Sequence, residues 1–220
     1  YLHHGGVVNN QRLGANRVTT QSELRYVTVT NAGADYQQMA GALDHDHFGI
    51  RVDAGSPILD HVTVSSSGGD GIHLVGGQPT LTNAVITNNT VGYGLVFEPD
   101  ALTNPHTSAF TATDYSGNGN TNRVLIKPNG PLPAGVITLP NLVVSGQSIP
   151  VQTDSTIVVG FGTTLNIAAG ATMNFAGNQG LQVDGGTVNA AGTALAPITL
   201  SNSLQYPGSW LGVYMRSDSL

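Results

Sequence analysis

Leu24–Asn31, Leu59–Ser66 and Leu81–Asn88 can be written under one another. Each begins on leucine, alternates apolar with mostly hydroxyl-bearing residues, and stops on a short polar end. The second and third copies are offset by 22 positions. A second line of the pattern repeats at the same step: Phe48–Val52 lies over Asp70–Leu74 at an offset of 22 and over Tyr93–Phe97 with Gly71 and Gly94 offset by 23. Strict alternation predicts half-buried strands, with Val27, Val29, Val62, Val64, Ala84 and Ile86 on the inner face. The outward rows are then Thr28, Thr63 and Val85, and Thr30, Ser65 and Thr87. Short strands recurring at a fixed period of about 22–25 residues predict a β-solenoid, in which each repeat buries its apolar face only against its neighbours.

Beyond Val144 the same logic continues with different residues. Strands are predicted at Thr156–Val159, Thr164–Ile167, Met173–Phe175, Leu181–Val183, Thr187–Ala190 and Ile198–Leu200. The first inward residues, Leu165, Met173, Leu181 and Val188, follow at spacings of 8, 8 and 7. Three such faces make one coil, so Leu165 and Val188 stand 23 positions apart, one full turn. This describes an all-β, right-handed parallel β-helix with three faces per coil. Residues 1–99 form a first solenoid zone, 100–143 a region of loop-rich excursions, and 144–220 a second solenoid zone. Segments 100–122 and 127–141, rich in Asn, Pro, Thr and Gly, are expected as loops. Gly71 and Gly94 open strands after turns, where glycine is expected to supply a positive φ.

The run Gly162–Gly170, then Gly180–Val183, Gly192-Thr193 and Ala196–Leu200, followed by Trp210-Leu211-Gly212-Val213, resembles bacterial secreted right-handed β-helix repeat proteins of the pectin-lyase-like fold. The resemblance covers most of the chain and implies fold and module order rather than a reaction. In such proteins a stretch of this kind opens a module, yet here it lies towards the C-terminal side. Residues 213–220 would run naturally into Tyr1-Leu2, so the chain is expected to be one period of a longer array, or a subunit that stacks end to end. The junction would be built from Tyr1, Leu2, Trp210, Val213, Met215 and Leu220. About nine coils at ~4.8 Å each predict a rod of about 40–45 Å.

Composition narrows the partners. Only 9% of the 220 residues are charged, against roughly 25% in an average domain. Lys127 is the sole lysine and the net charge is −6, which argues against nucleic acid and anionic membranes. No apolar run reaches the roughly 18 residues of a helical membrane span. There is no cysteine, so neither disulfides nor a thiol nucleophile enter the reading. With Tyr1 in place of an initiator Met, a mature or excised piece is expected, and the sparse Lys with abundant Thr, Asn, Gly and Ser suggests an extracellular or cell-surface setting.

Candidate chemistry concentrates in Asp44-His45-Asp46-His47, with Asp53, Asp60, Asp70 and His73 on neighbouring coils. Asp44 and Asp46 would share one face of an extended segment and supply oxygens to a calcium ion, and His47 a nitrogen to zinc. Paired carboxylates could also cleave a glycosidic bond. The chain lacks the Asn-Thr-Asp, Gly-His-Gly and Arg-Ile-Lys motifs of the β-helix hydrolases and the paired arginines of the lyases, so no catalytic residue is assigned. The Thr rows could order water in an ice-binding protein, but only one row is hydroxyl throughout. Asn88-Asn89-Thr90 fits a glycosylation acceptor, and Tyr26, Tyr36, Tyr93 and Trp210 are candidates for stacking on sugar rings. The primary expectation is a structural role: a subunit of an extracellular filament, stalk or surface layer whose partners are copies of itself, with surface polysaccharide as a further partner and no required cofactor.

Overall fold

The computed structural model describes residues 22–32, 47–53, 55–77, 79–102, 110–139, 141–144, 147–204 and 206–216. Their regular structure is all-β with sheets that are parallel but for one antiparallel hairpin; a 3-10 turn at Pro99–Leu102 and one helical turn at Gly119–Asn122 are the described helical segments. The chain divides into two compact units, one formed by 1–96 with 108–122 and the other by 97–107 with 123–220.

In the first unit the chain visits three faces in rotation. Glu23–Arg25, Ile58–Asp60 and Thr80–Thr82 stack in parallel, with Leu24, Leu59 and Leu81 in one row. Thr28–Thr30, Thr63–Ser65, Ala84–Thr87 and Ala112–Asp114 make the second stack, with Val29, Val64 and Ile86 in one row. Phe48–Val52 pairs with Asp70–Leu74, placing Ile50 against Ile72 and Val52 against Leu74. Leu59, Val62, Val64, Ile72, Leu74, Leu81, Ala84 and Ile86 are all fully buried. The alternation thus becomes an apolar column, each buried Leu, Ile or Val contributing about 1.5–3 kcal/mol. The register falls as the alternation places it, Thr28 against Thr63 against Val85 and Thr30 against Ser65 against Thr87, but Thr87, expected outward, is buried, and Val27 and Val29, expected inward, are half-buried.

The corners correct one expectation. Gly71 and Gly94 do not take a positive φ; that conformation falls on Tyr26, His61 and Asn83 between the first two stacks, and on Asn31, Ser66 and Asn88 after the second. Gly71 is small for a steric reason, since a Cβ there would meet Gly94 O at 2.5 Å. Glycine here permits backbones of successive coils to touch, while the bend is carried by single residues with short polar or aromatic side chains.

The second unit is built likewise. Val124–Ile126, Val151–Thr153, Thr172–Phe175 and Thr199–Asn202 stack in parallel, with Val124, Val151, Met173 and Leu200 in one row. Gly135–Leu139, Thr163–Ile167 and Thr187–Ala190 form a second stack, in which Leu165 faces Val188 across one 23-residue period. Ile157–Val159, Gly180–Asp184 and Gly212–Arg216 form the third, with Ile157, Leu181 and Val213 in one row. Leu142–Val144 and Gln147–Ile149 make an antiparallel hairpin. Segments expected as loops within 100–143 therefore hold strands: Ala112–Asp114 adds to the Ala84–Thr87 ladder with a register shift, and Gly135–Leu139 lies in register on Thr163–Ile167. Their Thr, Gly and Asn content hid short runs whose inward Ile137 and Leu139 are buried. Rotating visits to parallel stacks, at steps that run from 22 positions (Leu59 to Leu81) to 35 (Leu24 to Leu59), are compatible with a β-solenoid whose corners vary in length.

Candidate assembly surface

The third stack of the second unit carries an abrupt change in burial. Gly180–Asp184 lies between two parallel neighbours, and its inward residues Leu181 and Val183 are 1% and 7% exposed. Gly212–Arg216 repeats the strand in register, Val213 on Leu181 and Met215 on Val183. It ends its sheet among the described residues, and there Val213 is 42% and Met215 69% exposed. The same column that is core at one coil is open surface at the next.

Other exposed apolar residues lie near this strand in sequence. Among the described residues twelve large apolar side chains are exposed, and seven of them (Leu195, Leu204, Tyr206, Leu211, Val213, Tyr214 and Met215) fall between positions 195 and 215. Trp210, half-buried, stacks on the fully buried Phe175 with ring centroids 5.0 Å apart and planes at 12°. The strand's polar face is charged at one end, where Arg216 Nε lies 3.8 Å from Asp184 Oδ1. The Arg216 guanidinium also sits 5.4 Å from the centre of the Tyr214 ring.

In the first unit the carboxylates are engaged in holding coils together. Asp60 Oδ1 accepts from Thr82 Oγ1 at 2.8 Å and from Asn83 Nδ2 at 3.2 Å, and lies 2.9 Å from His61 Nδ1. Asp60 Oδ2 accepts from Arg25 at 2.8 Å, and Arg25 also reaches Glu23. The Thr82 hydrogen bond leads the effects that hold the Asp60 carboxyl down at about 2, and the Asn83 and His61 contacts act the same way against partial desolvation. A general acid needs the opposite shift. The Arg25 guanidinium is raised in turn, first by its hydrogen bond to Glu23. Beside this node Tyr26 and His61 stack at 4.6 Å, 22° from parallel. Burial pushes the Tyr115 phenol far above its ordinary value; its oxygen accepts the Leu95 N–H at 2.7 Å.

Of the residues singled out by sequence, Asp44, His45, Asp46, Tyr36, Tyr1, Leu2 and Leu220 lie outside the described residues. His47 is described, and its carbonyl accepts the Asp70 N–H at 2.7 Å. Asp70 opens the strand Asp70–Leu74 rather than a turn, and its Oδ1 accepts the Tyr93 N–H at 2.8 Å, 23 positions on, in place of the local backbone bond expected of a turn aspartate. Asp70 Oδ2 lies 3.9 Å from Nδ1 of the buried His73. Asp53 pairs with Arg51 at 2.6 Å. Among the described residues no three His, Asp or Glu side chains converge in a way that could hold a metal ion. Trp210 stacks on Phe175, while Val213 and Met215 lie on the strand Gly212–Arg216 opposite Leu181 and Val183.

Two sets of residues escaped the sequence reading. The exposed corner residues Leu195, Leu204, Tyr206 and Leu211 were legible only as apolar residues at turn positions, against the usual polarity of turns. Asn89, read as part of a glycosylation triplet, is fully buried. Its Oδ1 accepts the Ser67 N–H at 3.0 Å and its Nδ2 donates to Asn118 Oδ1 at 2.8 Å. Asn118 Nδ2 in turn donates to Ile86 O at 2.7 Å. The 22-residue offset between Ser67 and Asn89 was the available signal for this corner ladder.

No family model, curated protein or solved structure matches the chain.

Proposed function

We propose that this chain is a structural β-solenoid, a right-handed parallel β-helix of three faces per coil, that builds an extracellular filament, stalk or surface layer by stacking end to end. Parallel strands joined by crossovers in one sheet are right-handed in about 98% of cases, which supports the hand. The observation that carries the function is the column running from buried Leu181 and Val183 to exposed Val213 and Met215 in unbroken register. An edge strand with apolar residues in line with a core is a template for a further parallel strand. The low charge and lone lysine suit a packed surface polymer better than a solvated monomer. No turnover and no cofactor enter this reading.

Light scattering across a concentration series, with electron microscopy of the same samples, tests it. Mass rising with concentration and rods of multiple length support assembly, and Met215→Lys should abolish both while leaving the circular dichroism unchanged. A wild-type chain that stays monomeric at every concentration overturns the proposal.

A further inference from the structure

Asparagine followed by glycine occurs twice in the chain, at Asn118-Gly119 and at Asn129-Gly130. Asn is among the thermolabile residues, and most so before glycine, whose backbone nitrogen no Cβ shields. The fold treats the two pairs oppositely. Asn118 is 7% exposed. Its Oδ1 accepts from Asn89 N and Nδ2, and its Nδ2 donates to Ile86 O and Tyr115 O. The Gly119 N–H, which would have to react, donates to Asn89 O at 2.8 Å. Gly119 is also tightly packed, since a Cβ there would meet Thr90 O at 2.4 Å. Asn129, in contrast, is exposed and lies in a bend after the strand Val124–Ile126. Gly130 has a φ of +131°, and nothing lies within 4 Å of where its Cβ would be. Its N–H makes no backbone hydrogen bond among the described residues.

We propose that Asn129-Gly130 is a spontaneous modification site, at which the folded protein loses a side-chain amide and gains a carboxylate. Gly130 N attacks Asn129 Cγ and closes a cyclic imide. The Cγ–Nδ2 bond breaks, and Nδ2 leaves as ammonia, taking up the Gly130 amide proton. Water then opens the imide at one of its two carbonyls. One opening gives aspartate with the main chain unchanged, the other isoaspartate with the chain running through the side-chain carbonyl. Either product adds one negative charge to a chain of net charge −6. That charge falls on a specific contact. Asn129 Nδ2 donates to Glu98 Oε2 at 2.8 Å, and close by Lys127 N–H donates to Phe97 O at 3.1 Å. Both bonds tie the stretch after Ile126 to the stretch after Val96. After conversion the amide donor is gone and two carboxylates face each other, which is repulsive. The Glu98–Asn129 tie is therefore released as the protein ages, while the buried Asn118 ladder is preserved.

The full chain is held in mildly alkaline buffer, and both Asn-Gly pairs are followed by peptide mapping with mass spectrometry. In the folded protein Asn129 should convert at least about tenfold faster than Asn118, which must open locally before it can react. In urea the two rates should come within about threefold of one another, because the fold alone separates the sites. Asn129→Gln, whose longer side chain would have to close a larger ring, should stay unmodified with an unchanged circular dichroism spectrum. Asn129→Asp reproduces the normal-chain product. Its Lys127 amide should exchange at least about threefold faster than in the wild type, and adding Glu98→Gln should restore the slower rate. Equal conversion of Asn118 and Asn129 in the folded protein, or one ratio both folded and in urea, overturns the site. An unchanged Lys127 amide in Asn129→Asp overturns the released tie.

Discussion

Leu181 and Val213 face each other across two parallel strands in register, yet Leu181 is 1% exposed and Val213 42%. The contrast turns on whether a further strand covers the position. Leu181→Ala should cost about 2–5 kcal/mol, because a filled core site becomes a cavity. Val213→Ala should cost under about 1 kcal/mol in dilute solution and more as concentration rises. Urea unfolding at two protein concentrations separates these outcomes.

Asp60 gives the acid limb of stability a named contributor. Its folded carboxyl is held at about 2, below the ordinary value of 3.8. A depressed folded pKa adds stability that is fully present above the unfolded value and disappears as pH falls through the folded one. Wild type should therefore lose this contribution between about pH 4 and pH 2. Asp60→Asn should be less stable than wild type at pH 6 and show a flatter decline through that window. Thermal melts at half-unit pH steps read the difference, and a parallel decline in both proteins would remove Asp60 from the account.

Much of the fold was legible because solenoid alternation leaves a direct mark: the inward set from Val62 to Ile86 and the Leu165–Val188 period could be read from the sequence. The corners were not. A positive φ at Tyr26 runs against residue preference, and the Tyr26–His61 ring stack and the Arg25–Asp60 hydrogen bond beside it join residues 35 positions apart. Ala112–Asp114 and Gly135–Leu139 were hidden because runs of three and five residues, Ala-Thr-Asp and Gly-Val-Ile-Thr-Leu, carry too short a period to stand out. The proposed assembly surface was half legible. Trp210, Val213 and Met215 were read from their position in the repeat, whereas Leu195 and Leu204 show their significance only through exposure.

Gly55 and Gly77 bridge one another, and their environments are opposite. A Cβ on Gly77, whose φ is +79°, would meet Gly55 O at 2.0 Å, whereas one on Gly55 finds Pro57 at 3.6 Å. Gly77→Ala should destabilise by about 1–3 kcal/mol or more. Gly55→Ala should change stability by less than about 1 kcal/mol. Equal losses on chemical denaturation would contradict the geometry.

Asn118 tests whether the buried amide ladder is structural. Removing its side chain takes the acceptor from Asn89 Nδ2 and Asn89 N, and the donor from Ile86 O. Each buried group left unmet costs about 1–3 kcal/mol. Asn118→Ala should therefore lower the melting temperature by more than Asn166→Ala. The latter removes an exposed amide whose described side-chain hydrogen bond is to Asn189. Hydrogen exchange at the Asn89 amide should rise in the first variant alone.

Trp210 is the sole tryptophan, and its ring lies against Phe175 close in sequence to the exposed strand Gly212–Arg216. Its fluorescence is therefore a local reporter of what covers that strand. If a second copy seats there, water leaves the half-buried indole. Acrylamide quenching should then fall and emission shift to the blue as protein concentration rises. Met215→Lys, which leaves the Phe175 stack in place, should hold the dilute-solution spectrum at every concentration. A concentration-dependent spectrum in both proteins would place the contact elsewhere on the chain, and an invariant one in both would mean that nothing covers the strand.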